Sequence, residues 1–306
     1  MKKIFVSIAL IILLALIGGI AHLLIRPCDY RAHFTIKTTP DIVYFNILNW
    51  DSWNRKQASS KIEITSKNPV RNISKKVLLN DTTLIFNWEF KQLNDSVTMV
   101  RVCVSDPDRK LYNRLTVPFI NTPFKNSVRG NLLDIKTRLK LMLKTFHYEF
   151  TGYDQFEKKS CVCINLKSTP RGKARAMILN VTELNQFVRQ NNLELDGNPF
   201  VLVHDWNEFK DSINFDFCFP IAQTDAVQEH PEIKFKTVQG MDAIKTDFYG
   251  NYSMTDITWY NLAEEANKLG YRSNHKLIEV YLNDPHSGGN ELEWKAEIYL
   301  GIESVN

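Results

Sequence analysis

The chain has 306 residues, with 38 Lys and Arg against 34 Asp and Glu, and 44% of it is hydrophobic. Its 12 glycines and 11 prolines exclude collagen-like and low-complexity classes, and its length favours about two domains. A net charge of +4 lacks the clustered basic face that nucleic acid requires, so no nucleic-acid partner is expected. The five cysteines do not read as a disulfide framework. Cys161 and Cys163 lie one residue apart with no second pair, which is not a zinc pattern, so neither metal nor cofactor is expected.

Ile4 to Ile25 is a run of 22 residues without Asp, Glu, Lys or Arg. About 20 apolar residues in a helix span a ~30 Å hydrocarbon core. The run predicts an uncleaved transmembrane anchor over residues 1–28. A cleaved signal peptide has a shorter apolar core, and a lipid anchor at Cys28 follows small residues, where this chain has Arg26 and Pro27; both stay as alternatives. Lys2 and Lys3 favour an N-terminus in the cytoplasm, against Arg26, Arg31 and Lys37. The expectation is a single-pass protein of the cytoplasmic (inner) membrane with its folded part on the outer, periplasmic side.

Residues 29–150 read as one domain. Phe34 and Ile36 alternate as in a half-buried strand. Thr39, Pro40 and Asp41 mark the start of a helix carrying Val43, Tyr44, Ile47 and Leu48. Strands follow at Lys61–Thr65, at Leu84, Phe86, Trp88 and Phe90, and at Val100, Val102 and Val104. Leu132, Ile135, Leu139, Met142 and Phe146 then share one face of a long helix. A curved sheet around such a helix leaves a cavity that Trp88, Phe90 and Met142 would line.

Residues 151–306 contain a repeat, over 156–222 and 233–303. Each copy reads strand, helix, strand, strand. The helices are marked by Val181–Gln190 and Ile257–Ala266, and the later strands by Phe200–Val203, Ile213–Ile221, Lys276–Leu282 and Trp294–Ile302. Neither copy can bury its apolar face alone, and their junction is a natural ligand cleft. Gln223–Glu232 reads as the linker. The fold class is therefore α+β: a transmembrane helix, one mixed domain, then a tandem strand-helix-strand-strand domain.

Glu279 interrupts an apolar strand, Leu277-Ile-Glu-Val-Tyr-Leu282. Leu277, Glu279 and Tyr281 share one face, and Ile278, Val280 and Leu282 the other. The purely apolar face is expected to meet the helices, leaving Glu279 solvated, paired with a base, or aimed into a polar cleft. Tyr252, Trp259, Tyr281 and Trp294 are its candidate aromatic neighbours for stacking or cation–π contact. Gly250 permits a positive φ in a turn that would bring Tyr252 to the mouth of the cleft. His204 lacks an acidic partner at recognisable spacing and reads as structural; His286 reads as exposed in a hairpin connection.

Two resemblances extend this reading. Arg31 to Pro40, Asp41-Ile-Val-Tyr-Phe45 and Trp50-Asp-Ser-Trp53 resemble the START-like superfamily (SRPBCC type, with polyketide cyclases and lipid-transfer domains), which implies a helix-grip fold and an apolar ligand. Phe248-Tyr-Gly-Asn-Tyr252, Gly270, Glu279-Val-Tyr281, Asp284-Pro285 and Glu297-Ile-Tyr-Leu300 resemble the GyrI-like small-molecule-binding domain, also the effector-binding domain of AraC-type and MerR-type regulators. Val203-His-Asp-Trp206 and Cys218-Phe-Pro-Ile221 fit its other half. That resemblance implies that Glu279 faces the ligand pocket, where relatives contact cationic aromatic drugs or carry out hydrolysis. A helix-turn-helix segment, a Gly-rich phosphate loop and the common hydrolase motifs do not occur. The function expected is a membrane-anchored small-molecule binder sensing or sequestering amphipathic or cationic ligands, without catalytic residues. The alternatives are a hydrolase using Glu279 as general base, and a scaffold whose pockets are closed by side chains.

Overall fold

The computed structural model describes residues 2–53, 61–79, 82–94, 96–207, 209–222, 230–285 and 288–304. The chain divides into two compact units, Met1–Lys140 and Leu141–Asn306. The fold is α+β with two antiparallel sheets.

The first unit opens with α1 (Lys2–Ile25). Among the described residues no helix is long and apolar enough to cross a membrane. The span expected over Ile4–Ile25 falls on α1, where the side chains of residues 2–9, 15, 16, 20 and 22 lie outside the described set. There follow β1 (Tyr30–Ile36), α2 (Pro40–Leu48), β2 (Lys61–Asn68), β3 (Asn72–Leu79), β4 (Thr82–Asn94), β5 (Val97–Ser105), α3 (Lys110–Thr116) and α4 (Pro123–Met142). The five strands stand in the order β1-β5-β4-β3-β2. Pro40 opens α2 as expected, although Thr39 caps it with backbone geometry only. Leu84, Phe86, Trp88 and Phe90 alternate inward on β4 and are buried, with Trp50 and Trp53 against Phe86 at ring distances of 5.2 and 5.5 Å. These tryptophans and phenylalanines are tightly packed core, whereas Met142 is a partly exposed residue at the end of α4.

The structure shortens the expected long helix of this unit and adds a strand, β3, that the sequence reading does not include. The long helix stops at Met142; Phe146 keeps the helical spacing but begins a strand of the second sheet, where it is buried. Strand β3 lacks an obvious apolar alternation because Lys75 stands on its inward face between Ile73 and Val77. Its ammonium donates to the carbonyls of Leu48 (2.9 Å) and Trp50 (2.6 Å), satisfying acceptors that the end of α2 leaves unpaired. Burial pushes Lys75 down to about 8.

The second unit holds β6 (Phe146–Phe156), β7 (Lys159–Ser168), α5 (Lys173–Gln190), β8 (Phe200–Val203), β9 (Ile213–Pro220), β10 (Ile233–Val238), β11 (Met241–Gly250), α6 (Ile257–Lys268), β12 (Tyr271–Tyr281) and β13 (Lys295–Ser304). Its sheet order, β10-β7-β9-β8-β12-β13-β11-β6, is symmetric about the β8–β12 ladder. Each copy is the strand-helix-strand-strand unit read from sequence, with one addition. The strand preceding each copy crosses to the far edge of the other: β6 pairs with β11, and β10 with β7. Most of the Gln223–Glu232 linker, and His286, lie outside the described residues.

The cysteine reading is also corrected. Cys28 is bonded to Cys103, and Cys163 to Cys218, which face each other across β7 and β9; Cys161 is a buried free thiol. The partners are 75 and 55 residues apart, so no local spacing announces them. Each bridge contributes about 2–4 kcal/mol by restricting the unfolded chain.

Candidate functional site

Glu279 sits mid-strand on β12, next to the junction of the two copies, and its side chain is fully buried. The face carrying Leu277, Glu279 and Tyr281 is the one that meets the helices, the reverse of the expectation. Ile278 and Val280 look the other way, into an apolar cluster with Phe156, Phe200 and Tyr299. A cleft of about 320 Å³ opens on that opposite face beside Val280, Glu297 and Tyr299, and Glu279 does not line it.

A carboxylate persists in such a place only if its lone pairs are filled. Four side chains fill them. Trp259 Nε1, from α6, donates to Oε1 at 2.6 Å. Tyr281 OH donates to Oε2 at 2.5 Å, and Thr255 Oγ1 donates to the same oxygen at 3.0 Å. The fourth donor is the ammonium of Lys173, which is itself buried and opens α5. Lys173 Nζ also donates to Thr255 Oγ1 at 2.8 Å and lies 5.1 Å from the centre of the Trp259 ring. A cation thus rests between a carboxylate and an indole face, and it belongs to the chain itself. Burial, with Glu279 beside it, holds the Tyr281 hydroxyl well above its usual range, so it stays a donor.

Asp256, just before α6, is a second buried carboxyl at this place. Its Oδ1 has no hydrogen-bond partner among the described residues. Burial raises it to about 7, with Glu279 adding to the rise and Lys173 opposing it.

The remaining candidates extend outward from the carboxylate. The Tyr252 ring lies 4.9 Å from that of Tyr281 and 6.0 Å from that of Trp294. Tyr252 is buried rather than at an open mouth, and its hydroxyl donates to the carbonyl of Lys295 at 2.9 Å. Trp294 is partly exposed. The turn that delivers Tyr252 needs Gly250, whose φ is +147° and where a Cβ would come within 2.8 Å of the Phe146 Cβ. Trp259 and Tyr281 therefore bond Glu279 directly, Tyr252 packs on Tyr281, and Trp294 ends the row.

Sequence reasoning missed Lys173, Thr255 and Asp256. The helix of the first copy begins at Lys173, eight residues before the stretch that marked it. Thr169 and Pro170 just upstream are the start signal that would have found it, since Thr169 caps the turn to Gly172 at 3.0 Å. His204 does have an acidic partner, Asp216 on the neighbouring strand, 3.0 Å away. Burial alone would raise Asp216, but hydrogen bonds from His204, Lys236 and Asn165 hold it at about 2.

None of the curated proteins matches the chain. Among solved structures it is similar to the C-terminal domain of EcmrR, at 18% identity and TM-score 0.43, covering 52% of this chain and 99% of that one. It is also similar to a hydrolase from Listeria innocua (14%, TM-score 0.32, 55% and 98%) and to SAV2435 bound to tetraphenylphosphonium (11%, TM-score 0.34, 51% and 94%). Residues 173–303 match the GyrI-like small molecule binding domain. From the lysine that opens α5 to the last strand, the second unit carries a GyrI-like small-molecule-binding domain.

Proposed function

We propose that this chain is a membrane-tethered binding protein that takes up a cationic, amphipathic small molecule at Glu279 in exchange for Lys173. The observation that carries the reading is the buried Glu279 carboxylate, held by Trp259, Tyr281 and Thr255 and neutralised by the chain's own ammonium over an indole ring. A lipophilic monocation of suitable size reproduces both contacts of that ammonium. It also brings apolar surface, worth ~25 cal/mol per Å² buried, that a lysine cannot. The helix that holds Lys173 suits a gate: only Lys173, Leu184, Phe187 and Val188 of α5 are buried, and Ile178 and Leu179 stand exposed. Tyr281, Tyr252 and Trp294 offer a row of rings from the carboxylate towards the surface.

Use of Glu279 as a general base has weaker support, because both its oxygens already accept hydrogen bonds. The scaffold reading draws on the same Lys173 plug and differs in one outcome: the plug never leaves. Melting of the full chain with tetraphenylphosphonium and with tetraphenylborate, two ions of one shape and opposite charge, separates these readings. The cation is expected to raise the melting temperature of the second unit and the anion to leave it unchanged. No shift with either ion supports the scaffold.

The tether rests on α1, about 36 Å long at 1.5 Å per residue, and on its uncharged run from Ile4 to Ile25. The outer-side location is supported by a disulfide in each unit, since such bonds persist in oxidising compartments. The first unit has the strand, helix, antiparallel strands, long helix order of a START-like helix-grip domain, and the likeness supports that reading of its fold. Resistance to carbonate extraction, together with protease digestion of the folded units only from the outer side, is the expected result. Release by carbonate would remove the tether from the proposal.

A further inference from the structure

The first unit contains a helix that is inside out. In α3 the buried positions are Asn113 and Arg114, and the exposed ones are Leu111, Tyr112 and Leu115. The turn that follows adds Phe119 and Ile120. These five side chains are between 40% and 76% exposed within ten residues of sequence. A short surface helix ordinarily turns its apolar side inward, and a contiguous apolar patch of this kind marks a surface that something covers.

The patch is firmly placed. Arg114 donates from Nε to Asp29 Oδ1 at 3.1 Å and from Nη1 to the carbonyl of Leu24 in the last turn of α1. The other Asp29 oxygen accepts from the backbone of Asp106 at 2.8 Å, just before α3. Cys28, three residues after α1, is bonded to Cys103 on β5. Lys125 donates to the carbonyl of Val117 at 3.1 Å and fixes the turn bearing Phe119 and Ile120. The segment directly after α1 is thus held to α3 by the Asp29–Arg114 ion pair and to β5 by the Cys28–Cys103 disulfide.

We propose that Leu111, Tyr112, Leu115, Phe119 and Ile120 form a membrane-interface foot, inserted among the lipids where α1 leaves the bilayer. The inference rests on the reading of α1 as a membrane anchor. Three observations select lipid as the occupant. The apolar surface of α1 is exposed at Leu10–Leu14 and Ile17, and the last turn of the same helix is held against α3 by the Leu24–Arg114 contact. Tyr112 supplies the amphipathic ring favoured at headgroup level. Exposed Arg109 and Lys110 stand at the start of α3 and exposed Arg26 directly after α1; Asp108 beside them is exposed while Asp29 and Asp106 are buried, and the exposed basic excess suits anionic headgroups. The foot holds the first unit down on the bilayer rather than out on a stalk.

The test uses the full chain in vesicles of neutral and anionic phospholipids that carry a diazirine in the acyl chain. After illumination, lipid adducts are mapped by mass spectrometry, with a lysine cross-linker added in parallel. Adducts on both α1 and residues 111–120 are expected. The combined variant Leu111→Glu, Leu115→Glu and Phe119→Ser should lose at least ten-fold of the adducts at 111–120 while keeping those on α1, which also shows that the variant remains inserted. Adducts confined to α1 in the wild type overturn the foot and leave the anchor standing. Adducts on neither overturn the anchor as well. Cross-links joining Lys110 of two copies, with no lipid adducts on the patch, give the patch to a second copy and overturn the proposal.

Discussion

The two units each bury a lysine against a tryptophan, and the surroundings give the two cations different properties. Lys75 Nζ lies 5.9 Å from the centre of the Trp50 ring and donates to two backbone carbonyls. Lys173 Nζ lies 5.1 Å from that of Trp259 and donates to a carboxylate. Carbonyl dipoles do not repay the full cost of burying a charge, so Lys75 falls to about 8, and its work is to close the end of a helix. Lys173 meets a full negative charge instead, and under the exchange proposed above Glu279 would hold a different cation in the same place. A lysine on carbonyls is a cap; a lysine on a caged carboxylate is, under the proposed exchange, an occupant that another cation would replace.

The largest expected effect breaks the second site from the acid side. Glu279→Gln leaves the Lys173 ammonium buried without the carboxylate it is bonded to, and should destabilise the second unit by about 3–5 kcal/mol in urea unfolding. A loss below about 1 kcal/mol would mean that Lys173 swings out to solvent at little cost. Tyr281→Phe removes one charge-assisted donor and keeps the ring stack with Tyr252, so a smaller loss of about 1.5–3 kcal/mol is expected by the same measurement.

The first site should differ in its pH dependence. Lys75 is lowered when folded and has a model-peptide value of 10.5 when unfolded. The unfolded chain therefore binds more protons between about pH 8 and 10.5, and the stability of the first unit should rise through that window. Lys75→Met should flatten the rise. In the second unit Asp256 is raised to about 7 from 3.8, so the folded state binds the extra proton and stability should fall from about pH 4 to 7. Asp256→Asn should remove that fall, read as melting temperature against pH. The smallest effect concerns α5: Ile178→Ser should change stability by no more than about 0.5 kcal/mol, because the side chain is already in solvent.

The tandem architecture was legible in the sequence because its strands and helices are local patterns repeated in one order. The exchange of β6 and β10 between copies was not, since pairing partners such as Tyr148 and Phe248 are set by non-local register. Glu279, Trp259 and Tyr281 could be picked out as a charged and aromatic set on one strand and the preceding helix. Their surroundings could not. Lys173 is 106 residues from Glu279, and nothing at either position announces the other. The rule that charge avoids a packed face sent Glu279 to the wrong side; four converging donors outweigh that rule. The same limit hid Lys75, a charge on an inward face whose partners are carbonyls at the end of another element, and both disulfides.

Titration calorimetry of the full chain and of Lys173→Met with tetraphenylphosphonium tests most directly whether Lys173 is a replaceable cation. If it is, emptying the cage should tighten binding about ten-fold or more, the equivalent of 1.4 kcal/mol or above, and Glu279→Gln placed on top of Lys173→Met should abolish the gain. Equal or weaker binding by Lys173→Met, or binding indifferent to Glu279, would contradict it.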